Sequence, residues 1–99
     1  MQIESGMRVH FVGIAGSGMS PLARILIDLG CSVSGSDIKR SAVLDELMSK
    51  GAEVYTGHDA SVASKADMLI VSAAVPQDDV ELEAARSLNI PVLTRAELL

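Results

Sequence analysis

The chain has 99 residues, of which 48% are hydrophobic and 21% are charged, and this composition supports one domain with a modest core. Eight basic residues stand against thirteen acidic ones, and the formal charge of −5 argues against binding the phosphate backbone of nucleic acid. The longest apolar stretch, near 68–71, is far shorter than the roughly 20 residues of a membrane helix. The single cysteine, Cys31, excludes a disulfide framework, and we expect its side chain to be buried.

The first third of the chain predicts a strand and a helix joined by glycines. Residues 1–7 lack the basic and apolar segments of an export signal, so we expect a flexible leader on a soluble, cytoplasmic protein. Arg8 to Val12 predicts the first strand, and apolar residues at helical spacing predict a helix over Met19 to Leu29. Pro21 suits the first turn of that helix because its missing N–H has no partner there, and Gly30 suits a left-handed helix end.

The same alternation continues to the end of the chain. The pattern predicts further strands near 31–37, 53–55, 67–72 and 91–94, further helices near 42–50 and 78–88, and a polar linker before the fourth strand. Strands that alternate with helices favour parallel pairing. We therefore expect a Rossmann-like α/β fold, a three-layer sandwich around a mainly parallel five-stranded sheet.

Three glycines lie at the junction of the first strand and the first helix, in the run Gly13-Ile14-Ala15-Gly16-Ser17-Gly18. Glycine tolerates φ > 0 and has no Cβ, so this loop predicts accessible N–H groups and a phosphate site at the start of the helix. The spacing Gly-x-x-Gly-x-Gly differs from the dinucleotide fingerprint Gly-x-Gly-x-x-Gly. A nicotinamide-binding Rossmann domain of an oxidoreductase or sensor therefore remains an alternative, and a turn chosen only for packing remains another.

Two polar residues follow the second and third predicted strands. Asp37 comes nineteen positions after Gly18, close to the interval of roughly 20 residues at which an acidic side chain binds ribose hydroxyls. His58 follows Gly57, where its imidazole could donate to a phosphate or a base carbonyl. The alternative for each is a solvated loop residue.

The fourth strand ends in Ser72-Ala73-Ala74, whose small side chains permit close approach by a sugar or a flat ring, although Val75-Pro76 also simply ends the strand. His10 lies inside the first strand with no nucleophile or carboxylate arranged around it by spacing. We therefore expect a packed or hydrogen-bonded histidine there and no catalytic role.

Four acidic residues mark the start of the last long helix, namely Asp78, Asp79, Glu81 and Glu83. Carboxylates are favourable at that end of a helix because of its dipole. Nothing in the spacing makes them converge on a common point, so we predict no metal site.

The run from His10 to Ser20 closely resembles the opening of the UDP-N-acetylmuramate:L-alanine ligases, a branch of the Mur ligase family that adds the first amino acid in peptidoglycan synthesis. The resemblance covers residues 8–99 and continues through Val33 to Asp37, Gly57-His58, Val71 to Pro76 and Pro91 to Leu99.

This resemblance implies that residues 8–99 are the UDP-sugar-binding, N-terminal domain of a longer ligase. It implies a site for UDP-N-acetylmuramate, with ribose near Asp37, uridine or sugar contacts from His58, Ser72 and Ala73, and the diphosphate on Ala15, Gly16, Ser17, Gly18, Met19 and Ser20.

The resemblance also implies where the chemistry takes place. The sequence has no Gly-x-x-x-x-Gly-Lys-[Ser/Thr] segment, so ATP and Mg²⁺ are expected in a central domain of the full enzyme and no cofactor is expected in these residues. In that enzyme ATP would convert the substrate carboxylate to an acyl phosphate, which the amine of L-alanine attacks. We expect this domain to position the substrate and to be inactive without the central and C-terminal domains.

Two positions depart from the family pattern. Ala15 and Ala73 stand where the family usually has a second glycine and a second serine, and the missing hydroxyl at Ala73 could weaken one sugar or uracil contact. The related murein-tripeptide recycling ligases share the architecture and remain an alternative, whereas Gly18-Met19-Ser20 favours the alanine-adding branch.

Overall fold

A computed structural model describes residues 3–16, 18–39 and 41–98, in which strands and helices alternate. The five strands are β1 (Arg8–Val12), β2 (Ser32–Asp37), β3 (Glu53–Thr56), β4 (Met68–Val71) and β5 (Val92–Thr94). The five helices are α1 (Met19–Asp28), α2 (Ala42–Ser49), α3 (Ala60–Ala63), α4 (Val80–Ser87) and α5 (Arg95–Leu98).

The strands form one sheet in the order β3-β2-β1-β4-β5, and every neighbouring pair is parallel. The predicted Rossmann-like sheet is therefore confirmed, and it is wholly parallel where a mainly parallel one was expected. The chain runs outward from β1 to β2 and β3 and then returns to place β4 on the other side of β1. The strand order thus reverses beside β1, which is where open α/β sheets bind ligands.

Alternate residues of the central strands enter two separate cores, because successive side chains point to opposite faces of a sheet. Val9 and Phe11 of β1 pack with residues of α1 and α2, whereas Val12 packs with residues of α3 and α4. All four residues of β4 are buried in the same alternating manner. The sheet is therefore the middle of three layers.

Two short helices were absent from the sequence prediction. Helix α3 lies in the predicted linker and is capped by Asp59, whose carboxylate accepts a hydrogen bond of 2.8 Å from the N–H of Ser61. Helix α5 follows β5 directly. Each has four residues, which is too short for helical periodicity to be detectable in the sequence.

Residues 3–7, which we expected to form a flexible leader, contact the rest of the domain in the structure. Ile3 and Met7 pack against the α1–α2 core, and the N–H of Gly6 donates to the carbonyl of Gly30 at 3.0 Å. Met1 and Gln2 lie outside the described residues. Cys31 is buried, as predicted, and burial raises the pKa of its thiol.

Within the described ranges, every helix is too short or too polar to cross a lipid bilayer.

Candidate functional site

A cavity of about 310 Å³ lies beyond the carboxyl ends of the strands, at the point where the strand order reverses. Residues that follow β1, β2, β3 and β4 line it, namely Gly13, Ala15, Gly16, Asp37, Ile38, His58, Ser72, Ala74, Val75 and Pro76. Five of the ten predicted site residues are in this set. We call it the glycine-loop cavity.

A larger cavity of about 540 Å³ lies at the opposite end of the sheet, beside the first residues of β1, β2 and β3 (Arg8, Ser32 and Glu53). We call it the amino-end cavity. It contains none of the predicted site residues. Because parallel sheets bind ligands at their carboxyl edge, we assign the candidate site to the smaller, glycine-loop cavity.

The glycine loop is held tightly against β2 and β4. The N–H groups of Gly13 and Ile14 both donate to the carbonyl of Ser36, at 2.9 and 3.0 Å. Gly13 has φ +81, and a Cβ there would lie 3.0 Å from the Cβ of Ser72. Only glycine combines this conformation with this close approach.

Most N–H groups of the loop already have acceptors within the protein, which corrects the expectation of an uncovered loop. Ala15 donates to a carboxylate oxygen of Asp37 at 3.1 Å, Gly16 to the carbonyl of Gly13, and Met19 to the carbonyl of Gly16. Across the described residues, no acceptor pairs with the N–H of Gly18 or of Ser20. Ser17, also predicted to bind the diphosphate, lies outside the described residues.

The N–H groups of Gly18 and Ser20 therefore remain for a ligand at the start of α1. Gly18 precedes the helix with φ +79, and no side chain caps this end. The side chain of Met19 is buried in the core, so only its backbone faces the loop.

The half-buried Asp37, predicted to contact ribose, is also a structural acceptor. One carboxylate oxygen binds Ala15 as described, and the other lies 3.4 Å from the N–H of Lys39. Asp37 thus joins the end of β2 to the glycine loop while it lines the cavity.

His58 lines the cavity from the end of β3, and two acidic residues of the α4 region lie behind it. Its Nδ1 pairs with a carboxylate oxygen of Asp79 and lies 3.3 Å from Oε1 of Glu81. We predicted that the acidic residues at the start of α4 do not converge on one point. This prediction is wrong for Asp79 and Glu81, which both approach His58. Glu81 lies two residues after Asp79, whose side chain caps the helix at the N–H of Glu81.

Glu81 is fully buried and is the centre of a polar network inside the α3–α4 side of the sheet. Ser36 donates to its Oε1, and Nε2 of His10 lies 2.6 Å from its Oε2. Nδ1 of His10 lies 2.7 Å from the hydroxyl of Ser34. His10 is therefore a buried, hydrogen-bonded strand residue, as predicted.

The ligand atoms of His58, Asp79 and Glu81 all lie within 4.8 Å of one another, a spacing that a metal ion could bridge. Both oxygens of Glu81 already accept hydrogen bonds, from Ser36 and His10. Glu81, Ser36 and His10 therefore form a hydrogen-bonded network, and His58 contacts this network at the wall of the cavity.

The end of β4 supplies Ser72 to the cavity, and its hydroxyl accepts a bond of 3.4 Å from the N–H of Ala74. Ala73 is exposed and does not line the cavity, whereas Ala74 does. The structure thus brings Ser72 to the site and leaves Ala73 beside it.

Arg95 does not line the cavity but contacts the glycine loop, and the sequence prediction did not include it. Its side chain lies directly over Gly18, since a Cβ on that glycine would be 2.6 Å from the Arg95 Nε. Its position directly after β5 could have indicated this contact, because the carboxyl ends of all parallel strands meet at one edge of the sheet.

Comparison with known proteins gives a consistent result. A family model described as "Mur ligase family, catalytic domain" matches residues 8–99. The UDP-N-acetylmuramate–L-alanine ligase of Dichelobacter nodosus is 50% identical over 91 residues, which cover 92% of this chain and 19% of that protein. This chain therefore spans about a fifth of the length of the curated relatives it matches.

Solved structures show the same likeness. The UDP-N-acetylmuramate-alanine ligase of Thermotoga maritima superposes with a TM-score of 0.87 and 33% identity, over 93% of this chain and 21% of that one. A UDP-N-acetylmuramate:L-alanyl-gamma-D-glutamyl-meso-diaminopimelate ligase from Neisseria meningitides gives 0.81 and 30%, over 91% of this chain and 29% of that one.

These relatives are ligases, so the nicotinamide-binding alternative is not favoured. The family model covers nearly the whole chain, and the predicted glycine loop and wholly parallel sheet lie within the matched residues. The chain belongs to the Mur ligase family.

Proposed function

We propose that this chain is the UDP-N-acetylmuramate-binding part of a UDP-N-acetylmuramate–L-alanine ligase of peptidoglycan synthesis. The observation that supports this most strongly is the 50% identity to such a ligase across 91 residues. The glycine-loop cavity supports it independently, because a site at the strand-order reversal of a parallel sheet is typical of nucleotide binding.

We propose contacts for each part of the nucleotide sugar. The diphosphate lies at the start of α1, where the N–H groups of Gly18 and Ser20 are without acceptors in the described residues. Ribose lies near Asp37, and uridine or sugar groups contact His58 and Ser72 on the cavity wall.

We further propose that this chain positions substrate and that the chemistry belongs to other parts of a longer cytoplasmic enzyme. The chain corresponds to about a fifth of its relatives, and its sequence lacks a phosphate-binding Gly-Lys-[Ser/Thr] loop. ATP and Mg²⁺ then bind a central domain, where an acyl phosphate forms. Holding the UDP end of the substrate fixes the distance from its carboxylate to that site.

The recycling branch is the second candidate, supported by the likeness to the Neisseria protein. The names of both ligases include UDP-N-acetylmuramate, so this domain would bind the same nucleotide sugar in either case. The higher identity to the alanine-adding relative favours that branch.

Isothermal titration of the chain with UDP-N-acetylmuramate, UDP and NADH tests the proposal. We expect binding of both uridine nucleotides and none of NADH. NMR titrations with the same ligands provide a second readout. Amide chemical-shift changes at Gly16 to Met19 caused by NADH and not by UDP would contradict the proposal. The proposed lack of catalysis is checked by phosphate release with ATP and L-alanine, where activity of the 99 residues would disprove it.

A pair of variants locates the binding. Ala74 and Ser32 are both exposed, and each lines a different one of the two cavities. Ala74→Leu should obstruct the glycine-loop cavity and weaken binding of UDP-N-acetylmuramate, whereas Ser32→Leu should leave the affinity unchanged. The reverse result would move the site to the amino-end cavity.

A further inference from the structure

We propose that Arg95 is a phosphate-binding residue, whose guanidinium closes over the glycine loop and pairs with the diphosphate of the nucleotide sugar. This inference rests on the proposed function, because it adds a cation from the far end of the chain to that same site.

The first support is the direct contact between Arg95 and the loop. A Cβ on Gly18 would lie 2.6 Å from Nε, 2.9 Å from Cδ and 3.0 Å from Cζ of Arg95. The guanidinium therefore lies against the residue that begins α1, beside the N–H groups of Gly18 and Ser20 that have no acceptor in the described residues.

The second support is that this guanidinium has no protein partner among the described residues. Two other arginines of the helices do have partners. Arg24 pairs with Glu46 at 2.6 Å, and Arg86 donates twice to Gln77 at 2.7 Å. The donors of Arg95 remain for an anion, and a guanidinium binds phosphate through two parallel hydrogen bonds.

The third support is the charge of the site. The residues that line the glycine-loop cavity include no lysine or arginine, and they include Asp37. Asp79 and Glu81 lie directly behind His58. A diphosphate therefore enters a chain of net charge −5 near several carboxylates, and Arg95 is the cation that the structure places on its loop.

The local sequence fixes where Arg95 begins α5. Thr94 and Glu97 form a reciprocal capping box, in which the N–H of Thr94 donates to Glu97 at 2.9 Å and the N–H of Glu97 donates to the Thr94 hydroxyl at 3.2 Å. This arrangement engages Oε1 of the Glu97 carboxylate. The nearest acid along the chain thus binds backbone, and among the described residues Arg95 has no ion-pair partner.

Titration with UDP and with uridine tests this role, because the two ligands differ by the diphosphate alone. Arg95→Ala should weaken UDP binding about ten- to one-hundredfold, the usual effect of losing hydrogen bonds between charged groups, and should leave uridine binding unchanged. Arg95→Lys keeps the charge without the planar fork and should give an intermediate loss. Arg8→Ala makes the same charge change at the opposite end of the sheet and should bind both ligands as the unaltered chain does.

Three results would overturn the inference or separate it from the proposed function. Unchanged UDP affinity in Arg95→Ala would exclude a phosphate contact. Equal losses for UDP and uridine would show that Arg95 only shapes the loop. If the unaltered chain binds neither UDP nor UDP-N-acetylmuramate, the proposed function fails and this inference fails with it.

Discussion

His10 and Glu81 are 71 positions apart in the sequence, and their side chains meet at 2.6 Å in the interior of the fold. Glu81 also accepts from Ser36 and lies near His58. One buried carboxylate therefore ties β1, β2 and the end of β3 to α4, and it does so directly behind the glycine-loop cavity.

Removal of this carboxylate should destabilise the whole domain. Glu81→Ala leaves His10 and Ser36 buried without their acceptor, and at about 1–3 kcal/mol for each unsatisfied group the total cost is about 2–6 kcal/mol. The free energy of unfolding, measured by urea denaturation, should fall by that amount. Glu83→Ala is the matched control, since Glu83 is exposed on the same helix and should change stability by no more than about 0.5 kcal/mol. Equal effects of the two variants would refute the central role of Glu81.

The bond between Asp37 and Ala15 predicts a second effect, on the mobility of the glycine loop. Asp37→Ala removes the acceptor of the Ala15 N–H, so hydrogen exchange at that amide should accelerate about tenfold or more, and UDP affinity should fall. Asp37→Asn retains an oxygen acceptor and should preserve most of the protection. Asp28→Ala, an exposed change at the end of α1, is the control. Exchange that is equally slow in all three variants would show that the bond does not hold the loop.

Gly35 is required by packing and not by its backbone conformation. A Cβ at this position would overlap Cδ1 of Ile14 and lie 2.7 Å from the Ile14 Cβ. Gly35→Ala should therefore lower the free energy of unfolding by about 1–3 kcal/mol through overpacking.

The same contact can be tested by a double-mutant cycle. Ile14→Val removes Cδ1 and alone should cost about 0.5–1.5 kcal/mol. In the Gly35→Ala background it should cost less, because it relieves the overlap. Strictly additive losses in thermal or urea unfolding would contradict the proposed collision.

Cys31 predicts a loss of stability at alkaline pH. Burial raises the pKa of its thiol above the ordinary value of 9.0, and the thiol donates to the carbonyl of Glu4 at 3.4 Å. Because the folded-state pKa exceeds the unfolded value, this contribution is complete below the unfolded pKa and is lost as pH rises through the folded pKa. The unfolding midpoint of the unaltered chain should fall more steeply above pH 9 than that of Cys31→Ala. Parallel curves for the two proteins would disprove it.

The sequence by itself determined the fold class and the order of the five strands and the three longer helices. Apolar runs, helical spacing and glycines at helix ends are local signals, and they place β1, α1 and the glycine loop correctly because each depends on neighbouring residues. The same locality explains the position of Asp37 and His58 at the cavity. Asp37 ends β2 and His58 follows β3, and parallel strands bring their carboxyl ends to one edge.

Only the tertiary structure decided which of these groups are paired and which remain for a ligand. Asp37 binds Ala15 across 22 positions, Asp79 and Glu81 converge on His58, and Arg95 covers Gly18. Such contacts depend on how strands are ordered and how helices pack, and no periodicity within a segment encodes them. The sequence thus located the glycine loop, and the packing of β2, α4 and β5 around it determined which of its described N–H groups have acceptors and which side chain covers Gly18.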